Sequence, residues 1–231
     1  MARTIPDDRL ARLVACATQV FIAQGYRRTQ MADVAEALGV AKGTLYLYVE
    51  SKEALFDLVL RSADGDSPLA NLPALPLRTP KRGATLKYVR ERVAASQVVE
   101  ELARALGRSR VPDPAAELER IVRELYDVVA RNRFGIKLLD RSAPDYPELA
   151  ALWFEGARDG LLRLLTQYLE DRSRRKLLRA VPDPAVAARL VSETIVFWAV
   201  HRHWDPHPQA VDESVAKETV VRFIVGALAK E

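Results

Sequence analysis

The sequence predicts an all-α protein, and three observations carry that expectation. Apolar residues recur at i, i+3, i+4 and i+7 through successive segments from Leu10 onward, the spacing of an amphipathic helix. No run alternates apolar and polar residues with the composition of a strand. Helix-starting and helix-stopping residues separate the periodic segments.

The first helix places Leu10, Leu13, Val14, Ala17 and Phe21 on one face, and Gly25 closes it as a C′ glycine. Met31, Val34, Ala35 and Leu38 repeat the pattern, with Thr29 as N-cap and Gly39 as the stop. A short helix follows over about 42–48. Ser51 then caps a fourth, with Glu53 in its first turn, where the helix dipole favours an acid. Residues 63–83, ADGDSPLANLPALPLRTPKRG, form a proline-rich linker or a loop lying on a surface, and mark the expected domain boundary. Helices resume over about 84–106, 114–132, 147–176, 184–203 and 212–229, with a shorter piece near 133–142. The string VPDPA occurs at 111–115 and 181–185. Asp113 and Asp183 are N-caps there, and Pro114 and Pro184 sit at N1, where a missing N–H is tolerated.

Composition narrows the function. The chain has 231 residues, 29% charged and 49% apolar, the balance of a soluble globular protein. Its one cysteine, Cys16, allows no intramolecular disulfide and suits a reducing compartment. The start, MARTIPDDRL, leads into amphipathic sequence rather than an apolar run, so no signal peptide is expected. No stretch approaches the roughly 18 apolar residues of a membrane span. A cytoplasmic protein without a membrane partner is expected. Net charge is +4 with a pI near 9.3, which permits an anionic partner. Residues 1–62, however, hold eight Lys/Arg against seven Asp/Glu. A nucleic-acid partner therefore depends on where particular side chains point. No Gly-rich phosphate loop, G-x-S-x-G, H-E-x-x-H or Cys-rich pattern is present. His201, His203 and His207 crowd one tract, HRHWDPH, and the first two lie two residues apart, which on a helix spoils shared metal ligation. Neither an enzyme, a metal nor a cofactor is expected.

Residues 39–55, GVAKGTLYLYVESKEAL, point elsewhere. Two helices joined by the three-residue turn Gly39-Val40-Ala41 match a helix-turn-helix, with the motif over about 30–49. On a wheel at 100° per residue Leu45 and Val49 face inward, and Gly43, Thr44, Leu47 and Tyr48 fall on the opposite arc. Tyr46 lies on the flank and Lys42 at the exposed first turn. That face suits a major groove. Gly43 permits close backbone approach, Thr44 can bond a phosphate or base, and Leu47 can touch a thymine methyl. The tyrosine hydroxyls and Lys52 can reach phosphates.

The run TQMADVAEALGVAKGTLYLYVESKEAL, together with Phe21 and Gly25-Tyr26, resembles the signature of the TetR-type (tetracycline-repressor-like) transcriptional regulators over about residues 8–60. The resemblance implies a three-helix DNA-binding domain at 8–62, joined through a fourth helix to a larger helical effector-binding and dimerisation domain at 84–231. It implies DNA contacts from Thr29, Gln30, Lys42, Gly43, Thr44, Tyr46, Leu47, Tyr48 and Lys52. The implied protein is a homodimeric, ligand-released repressor acting on a palindromic double-stranded operator. Three positions depart from the family pattern: Ala41 stands where Ser is usual, Tyr48 where His is common, and Val49 where Phe is common. An α-helical partner-binding protein that has lost DNA binding is the alternative from another class.

Beyond residue 83 the resemblance is loose. The segments TIVFWAV from Thr194 and VVRFIVGALAK from Val220 are apolar almost all round, as in deep core or a subunit interface. An interface is expected there, with Val196, Val221, Ile224 and Leu228 as candidates. Tyr88, Tyr126, Phe134, Trp153, Phe154 and Trp198 are candidates for an effector pocket suited to a small apolar or aromatic molecule. Phe56, on the fourth helix, is expected to touch the C-terminal body.

Overall fold

The computed structural model describes residues 7–63, 74–96 and 99–230. In chain order its α-helices are α1 (Asp7–Gln24), α2 (Met31–Leu38), α3 (Lys42–Leu45), α4 (Lys52–Ser62), α5 (Ala84–Ser96), α6 (Glu100–Leu106), α7 (Pro114–Arg131), α8 (Arg133–Ser142), α9 (Pro147–Ala150), α10 (Asp159–Arg174), α11 (Pro184–Ala199) and α12 (Glu213–Leu228). Among the described residues the only strand-like pairings are two isolated bridges, Val49 with Leu77 and Leu178 with Ala229. The all-α expectation holds.

Two expected helices are interrupted. The 84–106 segment forms α5 and α6 rather than one helix, and residues 97–98 between them lie outside the described set. The 147–176 segment passes through π-helical turns at Ala151–Arg158, between α9 and α10. Single π-turns inside helices are uncommon and gather at functional sites.

By their internal contacts the residues divide into two units, Met1–Arg92 with Phe134–Trp153 and Val93–Arg133 with Phe154–Glu231. The 63–83 stretch does not coincide with that division. Residues 64–73 lie outside the described set, while Leu77 is buried within the first unit.

In the first unit Leu10, Leu13, Ala17 and Phe21 of α1 pack with Met31, Val34 and Ala35 of α2 and with Leu55, Leu58 and Val59 of α4, all buried. Ser51 caps α4 by accepting from the Ala54 N–H at 3.1 Å. Phe56 is buried, and its ring lies 5.0 Å from Phe21 and 4.7 Å from Tyr26. Tyr26 in turn stacks on Tyr146 at 6.2 Å, which carries this aromatic cluster onto the later chain. Arg141 of α8 adds a clamp. It donates from Nε to the Ile22 carbonyl at 3.0 Å and from Nη2 to that of Ala23 at 2.8 Å, so it satisfies carbonyls that the end of α1 would leave open.

The second unit is built on α7, α10, α11 and α12. Asp113 and Asp183 cap α7 and α11, accepting from Ala116 and from Ala185 and Val186, with proline at N1 in both. Inside it the Arg172 guanidinium, 1% exposed, meets the Glu117 carboxylate at 2.8 Å and the Ala105 carbonyl at 2.6 Å. Glu213 gathers a second polar cluster, accepting from Tyr126 Oη, Arg133 Nη2 and Arg202 Nη2 at 3.1, 3.0 and 2.6 Å. Burial works against its ionisation, yet Arg133, Tyr126 and Arg202 together hold its carboxyl below the usual range.

The interface candidates need correction. Val221, Ile224 and Leu228 are buried in the chain's own core, and Val196 is half-buried. Those three follow the i, i+3, i+7 stripe of α12 that faces its neighbours. The exposed stripe of that helix carries Val215 and Phe223, 70% exposed at the latter.

Candidate nucleic-acid interface

The helix-turn-helix is set by two left-handed glycines and one cap. Gly25, at φ +80°, ends α1, and Gly39, at φ +73°, ends α2 while its N–H donates to the Ala35 and Glu36 carbonyls. A left-handed residue at C′ is where glycine carries no Cβ penalty. Asp33 accepts from the Gln30 N–H at 2.8 Å, so Gln30 rather than Thr29 is the N-cap of α2. Ala41 caps α3 without any side-chain bond, as its lack of a hydroxyl requires.

The expected inward and outward faces of α3 are only partly correct. Leu45 and Val49 are fully buried, and Lys42, Gly43, Tyr46 and Leu47 are exposed, Leu47 to 60%, with Thr44 intermediate. Tyr48 is buried, against expectation. The α-helix stops at Leu45, and Leu47 and Tyr48 then donate to the Thr44 and Leu45 carbonyls three residues back. At about three residues per turn, side chains at i and i+3 eclipse, which turns Tyr48 in over Leu45.

Gly43 lies in the middle of this face. A Cβ there would meet nothing within 4 Å in the chain, and its φ is not left-handed. Neither backbone conformation nor internal packing calls for glycine, and in a helix it costs about 0.5–1 kcal/mol relative to alanine.

Two other expected DNA contacts are engaged internally. Thr29 is buried and donates its hydroxyl to the Gly25 carbonyl at 2.7 Å. Lys52 donates to the carbonyls of Tyr26, Arg27 and Thr29 at 3.0, 3.3 and 3.0 Å, with its ammonium 4.7 Å from the Tyr26 ring centroid. An ammonium has three protons, and here all three have acceptors. Lys52 thus ties down the turn between α1 and α2 and, through it, the exposed Gln30. No sequence pattern announces three carbonyls converging from another turn.

The pocket candidates fall three to each unit: Tyr88, Phe134 and Trp153 in the first, Tyr126, Phe154 and Trp198 in the second. Tyr126 is buried and bonded to Glu213, and Tyr88 lies under the Arg61 guanidinium at 4.2 Å. Trp153 and Phe154, both half-buried, sit in the π-helical turns, and Trp198 is half-buried on α11. Among the described residues no group of three or more His, Cys, Asp or Glu is placed to hold a metal ion, and no helix is long and apolar enough to cross a membrane.

A helix-turn-helix with an open outer face, carried on an all-helical chain, defines a class of nucleic-acid-reading regulators. Residues 13–59 match the family of bacterial regulatory proteins, tetR family. It is 33% identical over 93 residues to the HTH-type transcriptional regulator EthR of Mycolicibacterium smegmatis, covering 38% of this chain and 43% of that protein. It is 38% identical over 55 residues to the HTH-type transcriptional repressor KstR2 of Rhodococcus jostii, covering 24% of this chain and 27% of the relative. The chain thus spans less than half the length of the curated relatives it matches. The solved structure of the ketosteroid transcriptional regulator KstR2 of Mycobacterium tuberculosis shares the fold along almost the whole length, 99% of this chain and 98% of that one, with a TM-score of 0.56 and 16% identity.

Proposed function

We propose that the chain is a cytoplasmic, homodimeric transcriptional repressor that reads a palindromic DNA operator through α3 and releases it when a small apolar or aromatic effector binds. The observation that carries this reading is the outer face Lys42-Gly43-Thr44-Tyr46-Leu47, exposed around a glycine that nothing inside the chain requires. Its chemistry matches a groove: Lys42 for phosphate, Leu47 for a thymine methyl, Thr44 for a base edge or phosphate, and Gln30 beside them at the start of α2.

Selection from random DNA tests it. Wild type is expected to enrich a palindrome whose half-sites lie about 34–36 Å apart, or a multiple of a turn. Leu47→Ala should change the preferred base at one step per half-site, a shift of about 1–3 kcal/mol. Lys42→Ala should weaken all sequences alike and shallow the salt dependence by about one unit. If Leu47→Ala enriches the wild-type motif while Lys42→Ala alters it, α3 does not face the bases as proposed.

The dimer reading rests on unpartnered apolar surface. On α11, Val186, Leu190 and Phe197 fall within about 40° of one another at 100° per residue, and all three are exposed. Val215 and Phe223 add a second exposed pair on α12, which packs beside α11. Monomers seldom leave such a surface open. Phe223→Asp and Leu190→Asp are expected to yield folded monomers by light scattering with unchanged helical circular dichroism. Retention of a full dimer in both variants would place the interface elsewhere.

The effector reading rests on half-exposed aromatics of the second unit, Phe154 in the π-helical turns and Trp198 on α11. Rings of this kind favour apolar and aromatic ligands.

A further inference from the structure

Residues 74–83 read as a linker, yet they are fastened to the end of the recognition element. The Leu77 N–H donates to the Tyr48 carbonyl at 2.8 Å, and the Glu50 N–H donates back to the Leu77 carbonyl at 2.9 Å. These bonds form the parallel bridge between Val49 and Leu77. Two residues on, the Thr79 N–H donates to Glu50 Oε2 at 2.9 Å and its hydroxyl to Ser51 Oγ at 2.8 Å. Buried Leu77 anchors the segment from below. The chain therefore runs alongside the residues that follow Tyr46 and Leu47, the exposed tip of the reading face.

The charge on this strap is one-sided. From 74 to 90 the sequence holds Arg78, Lys81, Arg82, Lys87 and Arg90 and no acid. Arg78, Lys81 and Arg82 are all exposed, and none forms an ion pair among the described residues. The nearby Glu50 carboxylate accepts from the Thr79 amide through Oε2 and pairs with none of the three. Other arginines are tied up: Arg104, Arg123, Arg158 and Arg222 each pair with a glutamate. Lys81 lies four residues beyond Leu77, at most about 13–14 Å of extended chain, comparable to the width of a major groove of about 12 Å.

We propose that residues 74–82 form a second, phosphate-binding element of the DNA interface, in which Arg78, Lys81 and Arg82 engage the duplex backbone flanking the step read by α3. The proposal rests on the DNA-reading function argued above. Contacts to the backbone carry no sequence information, so the strap adds affinity and fixes register without altering sequence preference. With Lys52 committed to carbonyls, it also supplies the phosphate contacts on this side of the head.

The test uses the full-length protein and the duplex enriched by wild type, with anisotropy titrations from 50 to 200 mM KCl. The triple variant R78Q/K81Q/R82Q is expected to bind at least about tenfold more weakly at 100 mM salt and to flatten the slope of log K against log salt by two to three units, at about 0.9 for each phosphate no longer neutralised. Its selected motif should match wild type. A control triple in the second unit, R110Q/R131Q/R174Q, removes the same charge and should leave the slope within half a unit. Equal slopes and affinities for wild type and the strap variant, with Leu47→Ala still altering the motif, would overturn the strap and leave the reading head standing. A shifted motif in the strap variant would also overturn it, since that marks base contact. Equal weakening by both triples would reduce the effect to net charge. If wild type binds no duplex at all, the DNA-reading function falls, and the strap with it.

Discussion

Gly25→Ala is expected to cost about 3 kcal/mol of folding stability. The left-handed backbone at φ +80° accounts for about 1–2 kcal/mol of that with any L residue. The rest comes from crowding. A Cβ at Gly25 would lie 2.8 Å from the Arg141 carbonyl oxygen and 3.4 Å from Asp145 Oδ2. A backbone oxygen cannot rotate aside, so α1 and α8 must separate, and overpacking of this kind costs about 1–3 kcal/mol. Moving α8 also strains the Arg141 bonds to the Ile22 and Ala23 carbonyls. Gly39→Ala isolates the backbone contribution, because Gly39 has nearly the same φ and nothing within 4 Å of its missing Cβ. It should lose only about 1 kcal/mol. Urea denaturation of both variants checks the contrast, and equal losses would show that α8 yields without resistance.

Arg172→Leu should be costlier still, about 3–5 kcal/mol, the range for breaking a buried ion pair from one side. Both partners are 1% exposed. Removing the guanidinium leaves the Glu117 carboxylate buried, with the half-buried Arg108 guanidinium 3.5 Å from its second oxygen, and it leaves the Ala105 carbonyl without its donor. The stranded charge, more than the missing attraction, sets the magnitude. Arg172→Leu combined with Glu117→Leu is therefore expected to be more stable than Arg172→Leu alone. A double variant weaker than the single would assign the effect to packing around Tyr168, whose ring centroid lies 5.1 Å from the guanidinium carbon.

What the sequence made legible was whatever depends on neighbours in the chain. The buried stripe of α1, the caps at Ser51, Asp113 and Asp183, and the αL glycines at 25 and 39 are local, and the structure has them where periodicity and turn chemistry put them. Tyr48 escaped because a helical wheel presumes a continuing helix, and α3 tightens after Leu45. Lys52 and the strap escaped because their partners arrive from other turns, whereas Thr29 bonds the Gly25 carbonyl within its own turn and the cap passes to Gln30. For Gly25 the cap role was visible, but Arg141, 116 positions later in the chain, left no local trace. On α12 apolar residues occupy both faces, so nothing in the pattern told Phe223, which is exposed, from Val221 and Ile224, which are buried.

The discontinuity of the first unit bears on how such regulators exchange parts. A recombination joint at residue 63 would look natural, since α4 ends there. It would transplant a head without the segment that bonds Tyr48 and Glu50, and without Arg141 and Tyr146, which hold α1 and Tyr26. The recipient would receive a four-residue α3, far too short to persist by itself, with its supports replaced by foreign ones. Viable chimeras should instead keep residues 1–92 together with 134–153, so that heredity of the DNA specificity proposed for α3 follows a unit made of two separate stretches of the gene.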